Sequence, residues 1–440
     1  MIKTQINAFP PAWLWLVDEA IPQWVKKHYS PQESWKDKPF SLDDAKFFFK
    51  GIEELSDLFT EERPKGMPAY FQHPKYRSAY LLYFLPLQAA KFLTLFETYP
   101  QAIEASLKFA KKEGVLRIAD LGVGPGTASL SFLLVLLNQK LERGEELPPV
   151  ELHWFDTQFG VMKDGQALVE QLANSFPKLR GKVQIFKNEL PWWKAPSRLT
   201  SPMALTWSGH VLNESTAPQS EARVFWEKIL NKAQGGGLLL AEPASRRPAQ
   251  VLSSLRDDWI GSGLIEASPT RIWGPCLHAG ACPVAQGRDW CHLSVPVQIP
   301  GRWFRGFSEA LGSERQWLKY SYLWIASEQF PAPLPNRDAR RVISDPLGHA
   351  PGQSGSHPSH AHQPSEVLLC EPEMAQRWKS SRRLNRGDLI SVRETAPGRA
   401  ESSREFGSRS PVKPRVNPKP SAGGFIQPRV KPKVSRKSQD

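Results

Sequence analysis

The sequence predicts an α/β fold: a doubly wound, Rossmann-like domain, preceded by a helical region and followed by a β extension built around cysteines. Three observations predict it. Strand-like and helix-like runs alternate from Val115 to about Ala244. A glycine-rich turn, "LGVGPG", joins the first such strand to the first such helix. Three of the four cysteines lie within sixteen residues, Cys276 to Cys291, in a stretch rich in Pro, Gly and His. Strands that alternate with helices bury best as a mostly parallel sheet with helices on both faces.

The helical region covers residues 1–113. "LDDAKFFFKGIEELSDLFTEER" (Leu42 to Arg63) spaces its apolar residues three and four apart and follows Ser41, a suitable N-cap. "SAYLLYFLPLQAAKFLTLFETYP" (Ser78 to Pro100) is more apolar, and Pro86 should kink or split it. Its aromatic residues read as core. The doubly wound domain covers 114–270. Its strands are "VLRIADL", "VELHWFD", "KVQIFKNEL", a part of "MALTWSGHVLNE", and "GGGLLLAEPA". Its helices are "TASLSFLLVLLNQKLERG", "MKDGQALVEQLANSF" and "EARVFWEKILNKA". Residues 271–395 hold the cysteine segment, a part-helix, part-strand stretch from Arg302, an inserted polar loop at 345–365, and two short strands, "EVLLCEPE" and "RGDLISVRE", around "MAQRWKSSRRLN". Residues 396–440 are Pro-, Ser-, Lys- and Arg-rich and cannot bury enough apolar surface to offset chain ordering, so a disordered tail is expected.

Charge narrows the partners. The chain of 440 residues carries a formal +13. Residues 397–440 alone hold eleven Lys and Arg against three acids, a net +8. A basic chain with a basic arm favours a polyanionic partner. The N-terminal apolar run is broken by Pro10, Pro11 and Asp18, unlike a signal peptide, and lacks the Arg- and Ser-rich character of a transit peptide. No membrane partner is expected, and a cytoplasmic location is favoured over a mitochondrial one. In a reducing compartment, four cysteines point to metal or catalysis rather than disulfides.

"ADLGVGPGTAS" puts Asp120 at a strand end and Gly122, Gly124 and Gly126 in the turn. Glycines let the backbone take positive φ and approach a ligand, and the next helix start offers free N–H groups. A dinucleotide fingerprint would be G-x-G-x-x-G, but here the third glycine falls one residue early. G-x-G-x-G after an acid resembles the S-adenosyl-L-methionine (SAM) turn of doubly wound methyltransferases. Asp156, ending the second strand, stands where an acid would bind ribose hydroxyls. Asp120 would position the glycine turn and the amino-acid end of the ligand. His210 and Glu214 lie near the expected ligand edge, but "TWSGHVLNE" has no Asn-Pro-Pro-Tyr-like motif, and no catalytic base is assigned.

Cys276, Cys282 and Cys291 are spaced C-x5-C-x8-C, and Cys370 follows after 78 intervening residues. Four thiolates can enclose zinc or an iron–sulfur cluster, and this spacing chooses neither. His278 and His292 are candidates for replacing a cysteine in a zinc site, though a supporting role suits each better.

"PCLHAGACPVAQGRDWCHLSV" resembles the Pro-Cys-Pro-His…Cys-Pro…Asp-Trp-Cys-His-Phe segment of a methyltransferase-like family that assembles the small ribosomal subunit, with mitochondrial members and bacterial relatives. "AYLLYFLPLQAAKFLTLFE", "ADLGVGPGTAS", "EPASRRPAQVLSSLRDDWI", "ARRVISDP", "EVLLCEPE" and "RRLNRGDLI" follow that family's blocks in order, from about residue 70 to 392. The resemblance implies a SAM-binding methyltransferase fold that acts on small-subunit rRNA, and a [4Fe-4S] cluster held by Cys276, Cys282, Cys291 and Cys370, making the C-terminal part a metal-cluster and β extension. Leu277 stands where the family has Pro, "HLSV" replaces His-Phe-Ser, and the polar loop with His349, His357, His360 and His362 looks inserted. Arg302, Arg305, Arg382, Arg383, Arg386 and the tail are candidate phosphate contacts. DNA is not an expected partner. Two readings stand side by side: an rRNA methyltransferase, and a non-catalytic assembly factor that keeps the fold as an RNA platform, with zinc in place of the cluster as a variant. An electron-transfer role is a weaker third, because no flavin or nicotinamide site is evident.

Overall fold

A computed structural model describes residues 9–60, 69–143, 146–212, 219–262, 270–285, 289–313, 316–327, 339–345, 347, 365–371, 375–380 and 384–391, and every structural statement below concerns these. The inserted loop, apart from its edges, the basic tail, Glu214, Arg382 and Arg383 lie outside them.

The N-terminal region is helical, as expected. The Leu42–Thr60 helix opens on a reciprocal cap: the Ser41 backbone N–H and hydroxyl donate to Asp44 at 2.8 and 2.6 Å, and the Asp44 N–H reaches the Ser41 hydroxyl at 3.4 Å. Phe48, Ile52 and Leu55 make its buried stripe. Two helical stretches loosen into π turns, Leu16–Ala20 and Tyr80–Phe84, each just ahead of an X-Pro step, Ile21-Pro22 and Leu85-Pro86. Proline has no N–H for the preceding turn and its ring crowds that turn's carbonyl, so a wider turn absorbs it. The expected break at Pro86 therefore takes the form of a π turn within a helical run, Pro74–Thr98. That run is long and apolar enough to cross a membrane by composition, but 83% of its apolar window is buried in the protein.

The sheet has eight strands: β1 Leu116–Leu121, β2 Val150–Asp156, β3 Val183–Glu189, β4 Met203–Gly209, β5 Ala233–Pro243, β6 Thr270–Gly274, β7 Leu293–Pro296 and β8 Trp317–Ser327. The order is β3-β2-β1-β4-β5-β8-β6, with β7 also on β8. β1 to β5 pair in parallel, and β8 runs antiparallel to β5, β6 and β7. β8 is long because it carries two partners in tandem on one edge: β6 against Trp324–Ser327 and β7 against Trp317–Tyr320. The chain between β6 and β7 is the cysteine segment, so the sheet edge pins both its ends. Residues on either side of position 270 share one sheet.

A small lobe follows: β9 Ala339–Arg341 pairs with β12 Leu389–Ser391, and β10 Ser365–Cys370 pairs with β11 Ala375–Ser380. A bridge from Val342 to Leu369 joins the pairs. Its core is Val342, Val367, Leu369, Trp378, Leu384 and Ile390. β11 forms where the sequence suggested only a connector. In "AQRWKS", Trp378 faces the core among Gln, Arg, Lys and Ser, which hide the period of two.

Candidate functional site

Strand order reverses between β1 and β4: the chain winds from β1 out to β3, then returns to β4 on the other side. Crevices open at the carboxyl ends of strands at such a switch point. The glycine turn lies there. Gly122 has φ 70°, and a Cβ on it would stand 2.1 Å from Val211 Cγ2. Gly126 has φ 73°, and a Cβ there would meet the Trp154 ring at 2.9 Å. Only glycine suits both constraints at either position.

The two acids frame the turn. Asp156 Oδ2 accepts the Gly124 N–H at 2.8 Å, and its Oδ1 accepts the Gln158 N–H at 2.8 Å. Burial raises its pKa, against the pull of these N–H donors. Asp120 is buried at the end of β1, where it accepts the Ser129 hydroxyl at 2.6 Å, while Trp154 Nε1 donates to that hydroxyl at 3.0 Å. Burial pushes the Asp120 carboxyl up to about 7.

Both acids and all but the last glycine line one cavity of about 330 Å³. Its far walls are Tyr70, Phe71, Tyr80 and Phe92 from the helical region, Trp192 and Trp193 from the turn between β3 and β4, and His210 just past β4. Two polar atoms of lining residues, Gln88 Oε1 and Thr127 Oγ1, are buried without a protein partner. Unmatched buried oxygens are costly unless a ligand or solvent meets them. His210 takes φ 62°, unusual without a glycine. Its backbone N–H donates to the Ala241 carbonyl at 2.8 Å, and burial, then Lys91, lowers its imidazole pKa well below the usual value.

The four cysteines gather on the other side of β5 and β8. The thiol of Cys370, at the end of β10, stands 3.2 Å from His278 Nε2 in the cysteine segment. Burial, then Cys276, Cys291 and Cys282, raises the Cys370 pKa far above the thiol range. Burial, then Cys276 and Cys282, lifts Cys291 to about 12. Burial raises Cys276 too, with Arg256 opposing. The chain thus brings all four thiols within electrostatic reach of one another. Among the described residues, no three His, Cys, Asp or Glu side chains form a ready group for a single metal ion.

Three buried arginines shape this site; the sequence singled out only Arg386 among them, and as a phosphate contact. Arg256 donates to the His278 and Gly280 carbonyls at 2.7 and 2.8 Å and pairs with Asp257. Arg341 donates to the Pro275 and Gly387 carbonyls at 2.7 and 2.8 Å. Arg386 donates to the Trp290 carbonyl at 3.0 Å and to Asp289 at 2.7 Å. Arg386 is therefore not a phosphate contact, because its guanidinium is committed inside the protein. Arg302 and Arg305 are exposed, with Arg302 over the Trp303 ring. His292 lies beside the Trp290 ring, its Nδ1 3.2 Å from the Trp290 carbonyl. Four thiolates with a divalent centre carry a net −2, and guanidinium groups that mostly donate to neutral carbonyls suit that charge.

The chain was compared with known proteins. No curated protein matches it. Solved structures similar to parts of it include an rRNA methylase of Streptococcus thermophilus (11% identity, 40% of this chain and 81% of that one, TM-score 0.25). An O-methyltransferase family protein of Burkholderia thailandensis matches at 13% identity, 64% of this chain and 71% of that one, TM-score 0.27. A SAM-dependent methyltransferase of Agrobacterium tumefaciens matches at 13%, 52% and 62%, TM-score 0.28. All three scores lie below 0.5, so the fold assignment rests on the strand order and register above. A family model described as mitochondrial small ribosomal subunit Rsm22 matches residues 167–390, from the helix after β2 to β12. With just over half of its length matched, this chain belongs to the Rsm22 family.

Proposed function

We propose that this protein binds SAM in the cavity at the β1/β4 switch point and acts, as a methyltransferase-like factor, on small-subunit rRNA during ribosome assembly. One observation carries the reading: a glycine turn held at positive φ and an acid at the end of the next strand line a single cavity, whose lining residues Gln88 and Thr127 also keep a buried oxygen without a protein partner. Asp156 would receive the ribose hydroxyls, and Asp120 the ligand's ammonium end. Cys276, Cys282, Cys291 and Cys370 would hold a [4Fe-4S] cluster, with zinc as the alternative. The metal centre would tie the small lobe to the cysteine segment, and Arg256, Arg341 and Arg386 would balance its charge.

The test is calorimetric titration of the purified protein with S-adenosylhomocysteine. Binding is expected. Asp156→Ala should weaken it about 10- to 150-fold, since a charged acceptor is worth about 1.5–3 kcal/mol. No binding to the unaltered protein would sink the reading. Labelled methyl transfer to small-subunit rRNA then separates enzyme from platform. The second reading, binding without transfer, draws on the end of β4, where Ser208-Gly209-His210 replaces an amine-activating motif. Absorption near ~400 nm in anaerobic protein marks an iron–sulfur centre, and colourless protein with one zinc marks the alternative.

Asp120 adds a pH dependence. Its folded pKa of about 7 lies above its unfolded value, so the unliganded protein loses stability as pH rises from about 4 to about 7. A ligand ammonium needs the ionised form. Affinity for S-adenosylhomocysteine should therefore fall toward about tenfold per pH unit below about 7 and stay flat in Asp120→Asn. Equal pH profiles for the two proteins would refute this role.

A further inference from the structure

Trp193 stands at the mouth of the cavity and is 42% exposed, one of few large apolar side chains so placed. It lies in the turn Trp192–Ser197 between β3 and β4. Its neighbour Trp192 anchors that turn, stacked on Trp226 at 5.2 Å and edge-on to Phe225 at 4.8 Å. An exposed indole on an anchored turn costs little entropy to hold in place. Beyond it a second, more open depression of about 550 Å³ continues along the surface. Trp193 lines both. The second depression is walled by Lys194, Pro196, Ser197, Val224, Phe225 and Lys228, with no acid among its described lining residues. Neither lysine makes an ion pair among the described residues.

From this continuity we propose that the groove is an entry track for single-stranded RNA, with a base stacked on Trp193 at the cavity mouth and phosphates on Lys194 and Lys228. An exposed aromatic beside unpaired cations is how single strands are held without sequence readout. The cavity and groove run into one another through the same indole, so a strand in the groove presents its leading base to the cavity. The inference rests on the cofactor reading for what that base meets, but the track itself stands on the groove.

The test uses the full chain and a fluorescent, 4-thiouridine-bearing single-stranded RNA of about twelve nucleotides. Trp193→Ala should weaken binding about 5- to 150-fold, from the worth of one base–aromatic stack, and Trp193→Phe should recover much of it. Lys194→Gln with Lys228→Gln should reduce the slope of log affinity against log salt by about 1.4, at about 0.7 per phosphate on a single strand. Because the basic tail also attracts RNA, photocrosslinks are mapped, and they are expected on peptides spanning 191–198 or 224–228. No RNA binding by the unaltered protein, unchanged affinity in Trp193→Ala, an unchanged salt slope, or crosslinks confined to other segments would each overturn the track. Titration with S-adenosylhomocysteine on the same proteins keeps the two readings apart. Cofactor binding with a failed track sinks only this inference, and a working track without cofactor binding sinks only the cavity assignment.

Discussion

Replacing Cys370 with serine is expected to release the small C-terminal lobe while the main sheet stays folded. The lobe has six buried apolar side chains, fewer than a free-standing domain needs. Hydrogen bonds join it to the rest through Arg341 to Pro275 and Arg386 to Trp290. A metal held by Cys370 and the three cysteines between β6 and β7 would tie the end of β10 to the cysteine segment. Loss of a structural metal belongs to the substitutions that cost about 4 kcal/mol or more. The amides of Val367, Leu369, Trp378 and Ile390 should exchange much faster in Cys370→Ser, and those of β1 to β5 should not. Bound metal should fall in parallel, and chelation of the unaltered protein should reproduce the exchange pattern. Unchanged exchange and metal content in the variant would remove the metal from the account and leave the hydrogen bonds to hold the lobe.

Lys26→Met should destabilise the whole protein by about 3–5 kcal/mol, the cost of leaving a buried carboxylate without its cation. Lys26 Nζ donates to Asp44 at 2.7 Å and to the Pro39 carbonyl at 2.8 Å, and both side chains of the pair are almost fully buried. Asp44 also anchors the Ser41 cap, so its charge cannot simply move into water. Burial alone would raise the Asp44 pKa, but Lys26 and Ser41 outweigh it and hold the carboxyl below its usual value. This contribution is therefore complete above the unfolded carboxylate pKa of about 4 and is lost as pH falls through the lower folded one. Lys26→Met with Asp44→Asn should recover part of the loss, because Asn still accepts from Ser41. Denaturant midpoints measure all three proteins. A single variant as stable as the unaltered protein would show that the pair is not a source of stability.

Much of the main domain was legible because its signals are local. Glycines at Gly122 and Gly126, an acid at each of two strand ends and alternating strand and helix runs all report on neighbours in the chain. The break at Pro86 was legible for the same reason, since a missing N–H acts within one turn. β11 was not, because one buried Trp378 among polar residues leaves no visible period. The tandem seating of β6 and β7 on β8 was also hidden, since nothing local says which edge a short strand will take.

The sequence by itself determined the parallel sheet and the glycine turn with its two acids, and it marked four cysteines as one group. Only the tertiary structure decided that Arg256, Arg341 and Arg386 are buried beside the cysteine segment, that the helical region walls the cavity, and that Trp193 bridges cavity and groove. It likewise decided that the N-terminal helical stretch docks on residues about 285 positions away, with Trp13 donating to the Pro300 carbonyl and Trp303 donating to Asp18. The physical reason is one of range. Backbone propensity and turn chemistry act over a few residues and leave a pattern in the chain. A buried guanidinium or an exposed indole acquires its role from groups that only folding brings to it, and its own letter reads the same in either setting.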